Sequence, residues 1–300
     1  MQNVTIDRHK YIGGSDIPII MAISPFKTRF ELLQEKAQIK ENIFDGNDYT
    51  EYGNVMEPKI REYINSVTGS NFIEDKIVEG DIRYHADGHD IENNELLEIK
   101  TTSQVKENLE DYKGYLVQIL FGMQQYEARE GILAVYSRPD DFNEELNPDR
   151  LQMFNIYIDD HGELLEKINN AVDNFRKDLE IMRSNPFTTD EDLKPAVIVE
   201  LTNQIMSLEN EIARLKRAEE RQKELKAELK KSMQKHGFKK WTTNSGVQIT
   251  LVEDSPVKTV EEFDSKKFIK ENPKLAQEYT SLKEKKGRAG YVKITLPKAQ

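Results

Sequence analysis

The 300-residue sequence contains no cysteine, which excludes disulfides, thiolate zinc sites and cysteine-ligated iron–sulfur clusters. Histidine is scarce too, with five residues and no HExxH pair of the metalloprotease kind. A metal used by this chain therefore sits on oxygen, which favours magnesium, manganese or calcium. No hydrophobic run approaches the length of a membrane span, so no membrane contact is expected. The opening MQNVTIDRHKY lacks the apolar centre of a signal peptide, and the expected location is the cytoplasm. Basic charge is also in deficit: 43 Lys and Arg face 54 Asp and Glu, for a net charge of −11. That balance counts against a broad phosphate-binding surface.

The deficit is uneven. Residues 191–300 hold 23 basic and 17 acidic side chains, which leaves 20 and 37 for residues 1–190. The polar, two-proline stretch RSNPFTTDEDLKP separates the two parts, so residues 1–190 are read as one domain and 191–300 as a C-terminal extension.

In the first part, GGSDIPIIMAIS and TRFELLQEKAQI read as short helices capped by Ser15 and Thr28, with Pro18 in a first turn where its missing N–H costs little. A third helix is expected from near Asn54 to a Gly69 C-cap, with Ile60, Tyr63, Ile64 and Val67 on its apolar stripe. Strands follow at IRYHADG, ELLEIKTT, GILAVYS and MFNIYID, with the helix YLVQILFGMQQYEARE between the second and third and another near 162–183. The order describes an α/β or α+β domain. The extension opens with a long helix over 198–236, whose Ile198, Leu201, Ile205, Leu208, Ile212 and Leu215 alternate in steps of three and four. A hairpin (KKWTT, NSG, VQITLVE) and a last strand, YVKITL, come after it.

ELLEIKTT carries the chemistry. Side chains alternate along a strand, so Leu97 and Ile99 turn to one side while Glu98 and Lys100 turn together to the other. A hairpin centred on Glu92 and Asn93 brings Asp87 opposite Glu98, with Cβ atoms about 5 Å apart. Two carboxylates at that range repel unless one is protonated or a cation lies between them. A divalent ion resolves the conflict, and Lys100 adds a positive group one step along the same face. Metal-assisted phosphodiester cleavage uses this set of groups. The spacing alone is equally that of a polar hairpin face. A second candidate is RHKYIGGSD: a helix beginning at Ser15, two glycines and nearby Arg8 make a nest for an anion, or else an ordinary capped helix.

IGGSDIPIIMAISPFKTRFELLQEK, YGNVMEP, YHADGHD, LLEIKTT and YLVQILFGMQQY, in this order and spacing, resemble the YqaJ-type viral recombinases, the branch of the PD-(D/E)xK nucleases that includes phage lambda exonuclease. The resemblance covers about residues 8–185, and the tail EFDSKKFIKENPKLAQEYT resembles the extension of many phage members. Ala86 stands where the family has proline, and the missing cysteines set the chain apart from iron–sulfur relatives. The resemblance implies a restriction-endonuclease-like core with a helical and β-hairpin extension. It implies Asp87, Glu98 and the Ile99 carbonyl as ligands of Mg²⁺, which Mn²⁺ can replace, Lys100 as the catalytic lysine, and Glu57 near the metal through a water or a second ion. Gln118 would contact the lysine or the substrate phosphate, and Arg8 and Ser15 would hold a 5′-phosphate. His85 and His89 are not expected to be ligands. The implied activity is 5′ to 3′ digestion of one strand of linear duplex DNA by a phage or prophage enzyme. The 3′ strand would pass to a single-strand annealing recombinase, and the enzyme would be a homo-oligomeric ring of three. A structure- or site-specific endonuclease, or a non-catalytic DNA-binding scaffold held by the long helix, are the alternatives.

Overall fold

Helical periodicity places three helices ahead of the first strand, and three are found: α1 (Ile17–Ile20), α2 (Arg29–Lys36) and α3 (Asp48–Thr68). The structure is a computed structural model that describes residues 7–41, 46–252 and 263–279. Thr28 caps α2 as expected, accepting the Glu31 N–H while the Glu31 carboxylate accepts the Thr28 N–H. Ser15 does not cap a helix. It lies inside a 3-10 turn, Gly14–Asp16, and α1 behind it is only four residues long. The reason is Asp16, whose carboxylate accepts the Gly13 N–H at 2.9 Å and so closes the turn one residue further on.

α3 starts earlier than expected, at an Asn47 cap whose side chain accepts the Thr50 N–H, and it runs through Pro58. Proline removes one helical hydrogen bond. Burial of Tyr52, Met56, Ile60 and Ile64 along one stripe holds the helix through that gap, while Pro58 faces solvent. Gly69 ends the helix in the left-handed conformation (φ 77°).

One sheet follows, in the order β1 (Ile73–Glu79), β2 (Ile82–Asp90), β3 (Glu95–Thr102), β4 (Glu130–Ser137), β5 (Leu151–Tyr157). The strands pair antiparallel except for β3 and β4, which run parallel and are joined through α4 (Lys113–Gln125). β1 is absent from the sequence expectation. It is an edge strand in which no side chain is fully buried, so IEDKIVE shows little of the alternation that marks its neighbours.

The sheet separates two apolar layers. On one side Tyr84, Ala86, Leu96, Leu133 and Val135 pack with α1, α2, α4 and α5 (Gly162–Ser184). On the other, Leu97, Ile99, Ile132 and Ala134 pack with α3 and Phe72. The fold class is α/β, as expected.

The long helix expected over 198–236 is α6 (Ala196–His236). Beyond it, β6 (Lys240–Thr242) and β7 (Gln248–Thr250) form the expected hairpin, and α7 (Ser265–Glu271) and α8 (Pro273–Glu278) follow. The YVKITL strand lies outside the described residues. The chain divides into two compact units, 1–208 and 209–300, and residue 190 lies ahead of α6. Among the described residues no helix is long and apolar enough to cross a membrane.

Candidate active site

The β2–β3 hairpin turns through residues 91–94, with Asp90 at its base. The two Asp90 carboxylate oxygens accept the N–H groups of Asn71 (2.9 Å), Glu92 (3.0 Å) and Asn93 (3.1 Å), which fixes the register from outside the ladder. Asp90 pairs with Glu95, His89 with Leu96 and Gly88 with Leu97. One further step at that register brings Asp87 to Glu98. There the backbone ladder gives way to a side-chain bond, as the Ile99 N–H donates to Asp87 Oδ2 at 2.7 Å.

A β-bulge makes this possible. Along β1, Ile73 pairs with His89 and Asp75 with Ala86, so Asp87 and Gly88 together oppose Glu74 alone. Tyr84 and Ala86 precede the bulge and face the α4 layer. Gly88, the second bulge residue, faces the α3 layer, where a Cβ would lie 2.8 Å from Phe72 Cβ. The extra residue reverses the alternation at the point where Asp87 joins Glu98.

Glu98 is 1% exposed and receives three donors. Lys100 and Gln118 both donate to Oε1, and the Tyr84 hydroxyl donates to Oε2 at 2.7 Å. Gln118 thus reaches the site from α4 but bonds Glu98 rather than the lysine. From α3, Arg61 donates to the Asp87 carbonyl and to Glu74 Oε1 (2.8 Å) and lies 3.4 Å from Glu57 Oε1. Glu57 and Arg61, four residues apart on the helix, carry the far wall of the site.

These charges act on one another. Burial, and then the neighbouring Glu98 charge, push the Asp87 carboxyl well above the usual aspartate range. Burial also raises Glu57, against the pull of Arg61. Burial disfavours the Lys100 ammonium, but Glu98 and Asp87 outweigh it and hold its pKa above that of an ordinary lysine. The Tyr84 phenol is raised by burial and by Glu98, so it remains a hydrogen-bond donor.

Tyr84 and Arg61 are the site residues that sequence reasoning missed. The Tyr84 ring is held between two glycines of different elements: a Cβ at Gly14 would lie 2.4 Å from the ring, and one at Gly122 would lie 2.3 Å from it. Only glycine fits at these two approaches. Tyr84 is a positioning residue that acts through Glu98. Tyr84→Phe keeps the ring and removes one charge-assisted hydrogen bond, worth about 1.5–3 kcal/mol. For the phosphodiester cleavage that the resemblance implies, the expected result is a fall in kcat of roughly ten-fold to a hundred-fold with KM little changed. Wild-type kcat in Tyr84→Phe removes the residue from the site.

Arg8 and Ser15 are brought together. Arg8 donates to Ser15 Oγ (3.1 Å) and lies 3.5 Å from Asp16 Oδ1. Asp16, 1% exposed, is also bound by Lys36 at 2.6 Å. The pair sits at a 3-10 turn rather than at a helix N-terminus, with the Asp16 carboxylate beside it and the Arg8 side chain 43% exposed. His85 and His89 flank Asp87 in sequence, and His89 instead contacts Asp75 (2.9 Å) and Asn94 (3.2 Å). Among the described residues no three His, Cys, Asp or Glu side chains converge as a ready-made cation site. The fit to a cation rests on the donor chemistry: two buried carboxylates, of which Asp87 is raised first by burial and then by the Glu98 charge, and oxygen ligands throughout.

Residues 6–125 match the family model of the YqaJ-like viral recombinase domain, and every residue singled out above for the site lies within them. Over these 120 of its 300 residues the chain is similar to that family. Similar solved structures include a phage-related exonuclease from Haemophilus somnus 129PT, with 18% identity, 58% of this chain and 95% of that one covered, and a TM-score of 0.47. An alkaline exonuclease from Laribacter hongkongensis has 19% identity, 59% and 91% coverage and a TM-score of 0.44. No curated protein matches the sequence. Within the matched residues, β2, β3 and α4 supply the three donors to Glu98, and α3 supplies Glu57 and Arg61.

Proposed function

We propose that the protein is a metal-dependent deoxyribonuclease that digests the 5′ strand of linear duplex DNA and leaves a 3′ single strand for an annealing recombinase. The observation that carries this reading is the meeting of Asp87, Glu98 and Lys100 within a YqaJ-like domain. Asp87 and Glu98 would hold Mg²⁺ or Mn²⁺ together with the Ile99 carbonyl, and Glu57 would act at a distance or on a second ion. When bound, the ion supplies polarisation of the scissile phosphate and a more acidic water.

The protein's own groups have separate tasks. Lys100 holds a positive charge beside the carboxylates, where negative charge develops on the phosphate in the transition state. Gln118 and Tyr84 fix the two oxygens of Glu98, so the carboxylate does not rotate when Lys100 turns to substrate. Arg61 ties the Asp87 backbone to α3 and thereby holds the bulge in place.

A second reading is a structure-specific endonuclease, which would use the same carboxylates and lysine and need no 5′-phosphate site; the Asp16 carboxylate 3.5 Å from Arg8 sets a negative charge beside any terminal phosphate there. Digestion of linear, nicked and closed circular duplexes, with 5′-phosphate and 5′-hydroxyl ends compared, separates the two. The exonuclease reading expects Mg²⁺-dependent loss of linear DNA from 5′-phosphate ends and no attack on closed circles. Cleavage of closed circles with indifference to the end group selects the endonuclease. Undiminished cleavage in a chelator sinks both.

A further inference from the structure

Residues 223–252, all within the second unit, run against the charge of the chain as a whole. They hold seven lysines and two glutamates, whereas the full sequence carries a net charge of −11. Basic residues in the last turn of a helix offset its dipole, and that accounts for Lys235 and His236. Lys223, Lys226, Lys230 and Lys231 lie further back, beyond the reach of the effect. Between Lys223 and Lys240 the chain offers only Glu224 and Glu228 as acids. Glu224 accepts from Arg221 at 2.8 Å, and Lys226 donates to the neutral Gln222 at 3.1 Å. A run of like charge is ordinarily a solvated face, so the lysines alone carry nothing. The aromatic residues beside them change that.

Gly237 follows α6 in the left-handed conformation (φ 71°), and the Phe238 N–H bonds back to the Met233 carbonyl at 3.0 Å, so the chain turns directly into β6. In the hairpin Trp241 pairs with Ile249, and the Leu251 N–H donates to the Lys239 carbonyl at 2.8 Å. Alternation puts Lys239, Trp241, Ile249 and Leu251 on one face, and Lys240, Thr242, Gln248 and Thr250 on the other. Trp241, the only tryptophan of the chain, is 46% exposed, and Phe238 is 59% exposed. An open indole flanked by lysines suits a polyanion that also carries flat apolar faces. An acidic peptide would satisfy the lysines and leave the indole uncovered. Duplex DNA offers phosphates but keeps its base faces stacked on one another. An unpaired strand offers both.

We propose that residues 223–252 form a binding site for single-stranded nucleic acid, in which a base stacks on Trp241 and the neighbouring lysines hold the phosphates without reading sequence. The site stands apart from the nuclease reading. It uses none of the residues around Glu98 and binds whether or not the chain cleaves DNA.

The lone tryptophan makes binding visible. In the full chain, with a chelator present to stop metal-dependent cleavage, a single-stranded oligothymidylate is expected to quench the tryptophan emission. A duplex of the same length is expected to leave it unchanged. Trp241→Ala should weaken binding of a labelled single strand, read by fluorescence anisotropy, by roughly five-fold to a hundred-fold, and Trp241→Phe should restore most of the loss. Lys231→Gln with Lys235→Gln should lower the slope of log affinity against log salt by about 0.7 for each lysine removed. These side chains are exposed, so the fold is kept, which circular dichroism checks. Equal quenching by the duplex, full affinity in Trp241→Ala or an unchanged salt slope overturns the proposal. So does emission that moves with protein concentration alone, which assigns the face to a second copy. Emission that responds to anionic lipid vesicles and not to the oligonucleotide assigns it to a membrane surface and overturns the proposal too.

Discussion

Lys100→Met is expected to reduce DNA cleavage by about three orders of magnitude, the upper range for removing a group that stabilises transition-state charge. The lysine is the only cation bonded to Glu98 among the described residues, and its side chain is 24% exposed, so it reaches both the buried acid and solvent. Loss of the ammonium leaves Glu98 with Tyr84 and Gln118 as donors, and the fold should survive. Asp87→Asn makes the complementary test. The amide oxygen can still accept the Ile99 N–H, so the bulge keeps its bond while one carboxylate charge is gone. Its cleavage rate should fall as far, with a melting transition close to that of the wild type. Substantial cleavage by either folded variant would refute the assignment of the site.

Lys36→Met should cost the fold about 3–5 kcal/mol, the usual range for breaking a buried ion pair from one side. Lys36 and Asp16 are 3% and 1% exposed, and the ammonium also donates to the carbonyls of Arg8 (2.9 Å) and Tyr11. Burial lowers the Lys36 pKa, while Asp16 pulls it back up. Without the lysine, the Asp16 carboxylate keeps only the Gly13 N–H and Arg8 at 3.5 Å. Asp16→Asn combined with Lys36→Met should recover much of the loss, because no uncompensated charge then remains. Denaturant unfolding of the two single variants and the double variant measures the coupling. A loss below about 1 kcal/mol for Lys36→Met would show that the pair is not needed for folding. Cleavage should drop with stability, since the same segment carries Gly14 onto Tyr84.

The parts of the fold written in strong periodicity were legible: the α2 cap, the β2–β3 hairpin, the helix between β3 and β4, and the length of α6. The hairpin register was legible too, because Leu97 and Ile99 can satisfy only one layer. β1 was not, since an edge strand carrying Glu74, Asp75 and Lys76 buries too little to show a pattern. Tyr84 was hidden by the bulge. Counting alternation backward from Asp87 puts a residue three positions earlier on the opposite face, and only the extra residue reverses that. Arg61 left a fainter signal: an acid and an arginine four apart on a helix read as a solvent ion pair, yet Arg61 is 8% exposed. The helix expected at Ser15 failed because the sequence does not reveal that Asp16 folds back onto Gly13.

The interval between Asp87 and Glu98 has a stiff end and a slack end. Residues 91–94 only connect two strands already in register, so descendants of this gene can gain or lose residues there without moving either carboxylate. At the bulge, loss of a single residue would turn Asp87 toward the α3 layer and away from Glu98. A change of length around this site is tolerable only in the turn. In distant relatives the count of residues from the aspartate to the glutamate should therefore drift, while the Asp-Gly step at the bulge remains the fixed landmark for aligning them.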